Sequence, residues 1–322
     1  MKVLITGAAG FVGTYLAAAL PQVLGARIAL IATSHTGQPH QSWGRIEPLD
    51  VTDEAAVREA IGHHQPTHIV HLAGIAASAR AADDPKTAWT VHVDGTLNIA
   101  RTILESVPDC VLVHVGSGLV YGATAEHGQP LDETALLAPL DQYAVTKAAA
   151  DLALGALAMQ GLRCIRLRPF NHSGPGQPVS FVVPNFAAQI ARIEAGLAPP
   201  VIKVGNLDVE RDFLDVRDVV TAYSLAVREA GRIAPGSIIN VASGQTRSVR
   251  DILDRLLRLG RRTIAVEQDP ALIRSNDLPC IAGDAGRAHR LLGWQPRYPF
   301  EDTIAAVLDD WRAEAASVAS LS

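Results

Sequence analysis

Residues 2–13 read KVLITGAAGFVG: a short apolar run, glycines at positions 7, 10 and 13, then the opening of an apolar helical stretch. Strand, glycine turn and helix in that order at the head of a chain leave few folds open. A short, continuously apolar strand is buried on both faces, and such strands belong to parallel sheets covered by helices on either side. The alternation continues along the chain. RIALIAT (27–33), RIEPLDVTD (45–53), HIVHLAG (68–74), CVLVHVG (110–116) and RCIRLRP (163–169) read as further strands. Helices are expected over 87–106 and 142–160, and Thr52 or Asp53 is placed to cap the helix that follows RIEPLDVTD. Strands alternating with helices predict βαβ units with right-handed crossovers, hence an α/β fold with a doubly wound parallel sheet.

After Pro169 the rhythm breaks. NHSGPGQP is a loop by its glycine and proline content. Helical patterns near 181–195, 217–229, 249–258 and 300–315 interleave with short strands. The expected division is residues 1–169 as a dinucleotide-binding domain. Residues 170–322 then form mainly a smaller, irregular α/β substrate lobe, with some segments interleaved into the first domain. The closing SVASLS is expected to fray.

Composition narrows the class. The chain has 322 residues, 48% hydrophobic and 19% charged, which suits a globular protein with a substantial core. A formal charge of -5 without a Lys/Arg block gives no footprint for nucleic acid or an anionic membrane as partner. Cys110, Cys164 and Cys280 are odd in number, widely spaced and free of any CxxC, which argues against a disulfide framework or a structural zinc. A reducing compartment fits, and a cytoplasmic location is expected. No basic segment precedes a long apolar stretch, so neither a signal peptide nor a bilayer span is expected.

The glycine turn has a chemical reading. Gly7, Gly10 and Gly13 permit a tight turn, close backbone approach to a pyrophosphate, and close helix–strand packing. The helix opening at Phe11 and Val12 then offers unpaired N–H groups and a positive dipole end to phosphate. A dinucleotide site that selects NAD usually ends its second strand on an acid, which binds the ribose 2′-OH. Here the stretch is LIATSHTG, without one. Thr33, Ser34 and His35, with Arg45 from the next segment, are available to a 2′-phosphate. NADP(H) is therefore favoured, with NAD(H) as the alternative. Asp50 and Val51 stand where an adenine-contacting pair is expected. Leu72, Ala73 and Gly74 close the fourth strand, where small residues let a cofactor cross the carboxyl edge of the sheet.

YAVTK puts Tyr143 and Lys147 four residues apart on one helix face. A phenol titrates near 10, and a neighbouring ammonium favours its ionised form. A hydroxyl that holds the substrate oxygen while tyrosine moves a proton completes an acid–base set. Ser117, in VHVGSGLVYG, is a candidate for that hydroxyl. It is not a nucleophile elbow, because G-x-S-x-G needs glycines where Val115 and Leu119 stand.

Taken together, TGAAGFVG, LAG, GSGLVYG, YAVTK and RPFN, in this order, resemble the extended short-chain dehydrogenase/reductase family over essentially the whole chain. The resemblance implies a Rossmann-type sheet with a C-terminal substrate lobe. It also implies a Ser117–Tyr143–Lys147 triad, with Lys147 on the nicotinamide ribose, and homodimers formed through the helices at 87–106 and 142–160. RPFNHSGPGQ, VGNLDVERDFLDVRDVVTAY and RSNDLPCIAGD are similar to the branch of GDP-mannose dehydratases and GDP-4-keto-6-deoxy-mannose reductases, more so to the reductases. By that resemblance Ser117, Gly118 and Asn171 contact the sugar nucleotide, Arg211 and Arg274 meet the diphosphate, Asp277 holds ribose, and Lys203 lies near the nucleotide. Two departures matter. The dehydratases carry a glutamate where this chain has Leu119, and leucine transfers no proton; Asp132 and Glu133 stand elsewhere in the pattern. The NVxGT segment reads HVDGT here, so His92 replaces an asparagine and is expected to pack within its helix. The expected reaction is reduction of a GDP-linked 4-keto-6-deoxy sugar at C4. A 4-epimerase with tightly bound NAD and a non-catalytic dinucleotide sensor are the alternatives.

Overall fold

The structure is a computed structural model that describes residues 1–273 and 277–320. In chain order its strands are β1 (Lys2–Thr6), β2 (Ala29–Ser34), β3 (Glu47–Pro48), β4 (His68–His71), β5 (Val111–Val115), β6 (Cys164–Pro169), β7 (Asn171–Ser173), β8 (Val201–Val204), β9 (Glu210–Asp215), β10 (Ser237–Val241), β11 (Thr246–Ser248), β12 (Ala265–Gln268) and β13 (Cys280–Ile281). The helices are α1 (Phe11–Leu24), α2 (Glu54–His64), α3 (Ser78–Asp83), α4 (Pro85–Trp89), α5 (Gly95–Ser106), α6 (Gln142–Ala158), α7 (Val182–Glu194), α8 (Val216–Glu229), α9 (Val249–Leu259), α10 (Gly286–Leu292) and α11 (Phe300–Ala319).

Seven strands form one sheet in the order β10-β6-β5-β4-β1-β2-β3, every neighbouring pair parallel. Side chains alternate across it, as the pleat requires. Val3 and Ile5 face a core with α1 and α8, while Leu4 faces one with α2, α5 and α6. Between β1 and β4 the strand order reverses. In open parallel sheets ligands bind outside the carboxyl ends of the strands at that reversal. The expected doubly wound α/β sheet is thus present.

From β6 the chain passes directly into β7, which pairs β9 in a four-stranded sheet with β11 and β13. A separate core there gathers Phe186, Ile190, Ile252, Leu256, Ile304 and Leu308 from α7, α9 and α11. β10, from the second half of the chain, closes the outer side of the large sheet beside β6.

Several boundaries differ from expectation. The third strand shrinks to Glu47–Pro48 at the sheet edge, where a proline without N–H is tolerated. The helix expected over 87–106 is α4 and α5 joined by a π-turn, Thr90–Asp94. At the C-terminus α11 runs on to Ala319, so residues 317–319 are helical, with Ser317 Oγ donating to the Ala313 carbonyl. Residues 321 and 322 lie outside the described residues. No helix among the described residues is long and apolar enough to cross a membrane.

Candidate active site

The carboxyl ends of β1, β4 and β5 and the first turns of α1 and α6 meet at the reversal. Gly7 has a φ of +69°, and a side chain there would come within 2.7 Å of the Ala73 backbone nitrogen. The glycine turn and the Leu72–Gly74 segment therefore lie backbone against backbone. Gly13 lets the first turn of α1 close on Ala8, whose carbonyl a Cβ would approach to 2.2 Å. Gly10 is exposed and caps α1 without a side-chain hydrogen bond, and no acid lies in the first turn. Phe11 and Val12 follow, partly exposed. A helix end with free N–H groups, approached by an open glycine backbone, fits a dinucleotide pyrophosphate.

Trp43 braces this turn from behind, its indole N–H donating to the carbonyls of Ala8 (3.0 Å) and Gly13 (3.1 Å). Sequence reading missed it; the available signal was a lone tryptophan in a loop otherwise of small and polar residues.

At the end of β2 the candidates divide. Thr33 is buried and donates its hydroxyl to the Ile5 carbonyl (3.1 Å), so it is turned into the sheet. Ser34 Oγ accepts the Gly37 N–H at 3.1 Å. His35 is exposed, 3.5 Å from Asp50, and Arg45 is exposed nearby in sequence. Asp50 accepts the N–H and hydroxyl of Thr52, which hold its carboxyl below the usual range against the upward pull of burial. Val51 is buried against Gly95.

Asp141 caps α6 by accepting the Ala144 N–H at 2.7 Å. Tyr143, Lys147 and Asp151 follow at helical spacing along one face. Asp151, fully buried, receives Arg166 (2.9 Å) and Arg168 (2.8 Å), and Arg168 also donates to the Tyr121 hydroxyl at 3.0 Å. These contacts tie α6 to β6 and set the height of Tyr143 and Lys147 over the sheet. Ser117 caps the 3₁₀ segment Gly118–His127, its Oγ accepting the Leu119 N–H at 3.2 Å. Gly118 leaves room for the Phe170 ring, which a Cβ would approach to 2.9 Å.

The Lys147 ammonium is buried and donates to the Val115 carbonyl at 3.2 Å. Burial lowers its pKa to about 8. Tyr143 moves the other way, to about 12, because burial outweighs the opposing hydrogen bond from Ser117. The expectation that Lys147 lowers the phenol is therefore corrected: desolvation governs Tyr143, and the ammonium is turned toward Val115. At neutral pH Tyr143 is a protonated donor, with Ser117 beside it.

Glu133 is buried, accepting the Asn240 N–H at 2.8 Å and facing Arg287 at 3.4 Å. Asp132 accepts from Thr134. Both carboxylates are thus engaged away from the place that Leu119 holds.

The remaining candidates are more dispersed. Asn171 opens β7 at partial exposure. Arg211 on β9 donates to the Leu278 carbonyl at 2.7 Å and lies 3.4 Å from Asp277. Those two sites are therefore brought together. Lys203 is exposed on β8, in the separate two-stranded sheet with β12. Arg274 lies outside the described residues.

Comparison with known proteins agrees with this geometry. Residues 3–242 match the model of the NAD dependent epimerase/dehydratase family. The GDP-6-deoxy-D-mannose reductase of Pseudomonas aeruginosa is 33% identical over 318 residues, 97% of each chain. The GDP-6-deoxy-D-talose 4-dehydrogenase of Aggregatibacter actinomycetemcomitans is 25% identical over 320 residues, 96% of each chain. The solved structure of RMD from Pseudomonas aeruginosa complexed with NADPH gives a TM-score of 0.83 at 31% identity, covering 97% of this chain and 99% of that one. A dinucleotide turn at the sheet's reversal, a tyrosine–lysine helix face beside it and a family match spanning both lead to one statement: the chain belongs to the NAD dependent epimerase/dehydratase family.

Proposed function

We propose that the protein is a reductase that uses NAD(P)H, NADP(H) preferred, to reduce the C4 ketone of GDP-4-keto-6-deoxy-D-mannose. The product is GDP-D-rhamnose or its C4 epimer, GDP-6-deoxy-D-talose. The observation that carries the reading is Tyr143, held protonated next to Ser117, with leucine at position 119 where elimination of water calls for a carboxylate. The similarity to a GDP-6-deoxy-D-mannose reductase over nearly the full chain supports it.

When bound, the reduced nicotinamide supplies hydride to the sugar C4. Tyr143 gives its phenolic proton to the C4 oxygen as charge develops there, a role worth about 10²–10⁴-fold in rate. Ser117 donates a hydrogen bond to the same oxygen and keeps it in line. Lys147 holds the nicotinamide ribose. Gly7, Gly10 and Gly13, with the N–H groups of Phe11 and Val12, receive the pyrophosphate. Arg211, anchored on Asp277, brings a guanidinium to the sugar nucleotide's diphosphate, and Asn171 meets the sugar nucleotide from β7.

The test is incubation of the purified protein with GDP-4-keto-6-deoxy-D-mannose and NADPH or NADH. The expected result is net consumption of reduced cofactor, faster with NADPH. Tightly bound NAD in the isolated protein and no net consumption would contradict the reading in favour of a 4-epimerase.

A further inference from the structure

The proposed reaction gives no part to His92, whose ring lies beside Tyr143. It sits in the π-turn between α4 and α5 and is 1% exposed. Both ring nitrogens are engaged, on different segments. The Ile75 N–H donates to Nε2 at 2.9 Å. Nδ1 lies 2.8 Å from the Thr146 Oγ1, and the Thr146 hydroxyl donates to the Tyr143 carbonyl at 2.9 Å. With that hydroxyl hydrogen committed, we assign the ring proton to Nδ1, which donates it to Thr146; Nε2, also 3.2 Å from the Ile75 carbonyl, then serves as the acceptor of the shorter Ile75 N–H bond. The ring also stands edge-on to the Tyr143 phenol, centroids 5.6 Å apart at 88°. Gly74 leaves the space: a Cβ there would lie 3.3 Å from both the imidazole and the Lys147 ammonium. Burial, reinforced by Lys147, lowers the imidazole pKa to about 3, so the ring stays neutral under working conditions. The wider π-turn accommodates a buried ring between two packed segments.

We propose that His92 is a positioning residue that locks the Gly74–Ile75 loop to the first turn of α6, setting the spacing between the dinucleotide edge and the Tyr143 phenol. A rigid aromatic ring hydrogen-bonded on both sides fixes that spacing in a way that a flexible side chain holding one side does not. The kinetic half of this inference rests on the reductase reading; the binding half does not.

Two substitutions separate the two hydrogen bonds. His92→Asn places an amide near Nδ1, keeping a donor to Thr146 and giving up the acceptor for Ile75. His92→Gln places its amide oxygen near Nε2, keeping the acceptor for Ile75 and giving up Thr146. NADPH affinity is read by fluorescence titration and kcat by steady-state assay with the GDP-linked ketone. Expected for His92→Asn is an NADPH Kd raised about tenfold, with kcat lowered less than about threefold. Expected for His92→Gln is the reverse: kcat lowered about tenfold and Kd raised less than about threefold. Thr146→Val reproduces the His92→Gln loss, and combining the two adds little, as members of one network behave. Kd and kcat moving together in both variants, or neither moving, would overturn the proposal and leave a merely packed histidine. A wild type without reductase activity would overturn the reaction reading instead, while the Kd comparison still decides the Ile75 contact.

Discussion

Lys147 and Tyr143 titrate in opposite directions from their ordinary values, and that difference has a measurable consequence. In the free enzyme Lys147 loses its charge as pH rises through about 8, while Tyr143 keeps its proton to about 12. The pH profile of kcat/KM should therefore fall on the alkaline side of about 8, well below the usual lysine range. A profile flat to pH 10 would contradict the role given to the ammonium. The linkage has the same origin. A lysine whose folded pKa lies below its ordinary 10.5 makes the folded state bind fewer protons between the two values. Its burden on stability is full below about 8 and is relieved as pH rises toward 10.5. Tyr143→Phe removes the donor and keeps the ring. It should lower turnover by about 10³-fold with NADPH affinity kept within about threefold, read by fluorescence titration. Turnover near that of the wild type would refute the proton-transfer role. The spacing of YAVTK was sufficient to place both residues on one face. The direction of the tyrosine shift was not legible there, because it depends on how much chain buries the phenol, which no local pattern records.

At the scale of elements, the glycine turn and the π-turn place the chemistry. Gly13→Ala would drive a Cβ to 2.2 Å from the Ala8 carbonyl, which is backbone and cannot turn aside. The expected cost is about 1–3 kcal/mol of stability, read as a lower Tm, together with loss of NADPH binding. A variant with unchanged Tm and affinity would contradict the packing assigned to that glycine. Strand–turn–helix at the head of the chain was legible because glycine, apolar run and helix pattern all agree locally. The Trp43 brace and the inward turn of Thr33 were not, since both depend on a loop folding back over the turn. RPFN shows the limit from the other side. Its arginine serves a buried network with Asp151 and Tyr121, anchoring α6 rather than facing the cleft.

At the scale of the molecule, the strand reversal between β1 and β4 puts the cofactor turn and the Tyr143 helix on one edge, and β7 carries Asn171 from the large sheet toward the second lobe. The sheet was legible from six apolar runs; the entry of β10 as its outermost strand was not, because SIINV is too short to declare its partner. We further propose a homodimer through α5 and α6, where Leu152 on α6 is 60% exposed and Met159, just past the end of that helix, is 89% exposed. Leu152→Glu should shift sedimentation from dimer to monomer; a monomeric wild type would contradict this assembly. The reduction itself is tested most directly with NADPH deuterated at the transferring position of its nicotinamide and the GDP-linked 4-keto-6-deoxy sugar, the product being read by NMR. The account predicts one deuterium at the sugar C4 for each molecule of cofactor oxidised. A product without deuterium at C4, formed with no net loss of NADPH, would contradict it.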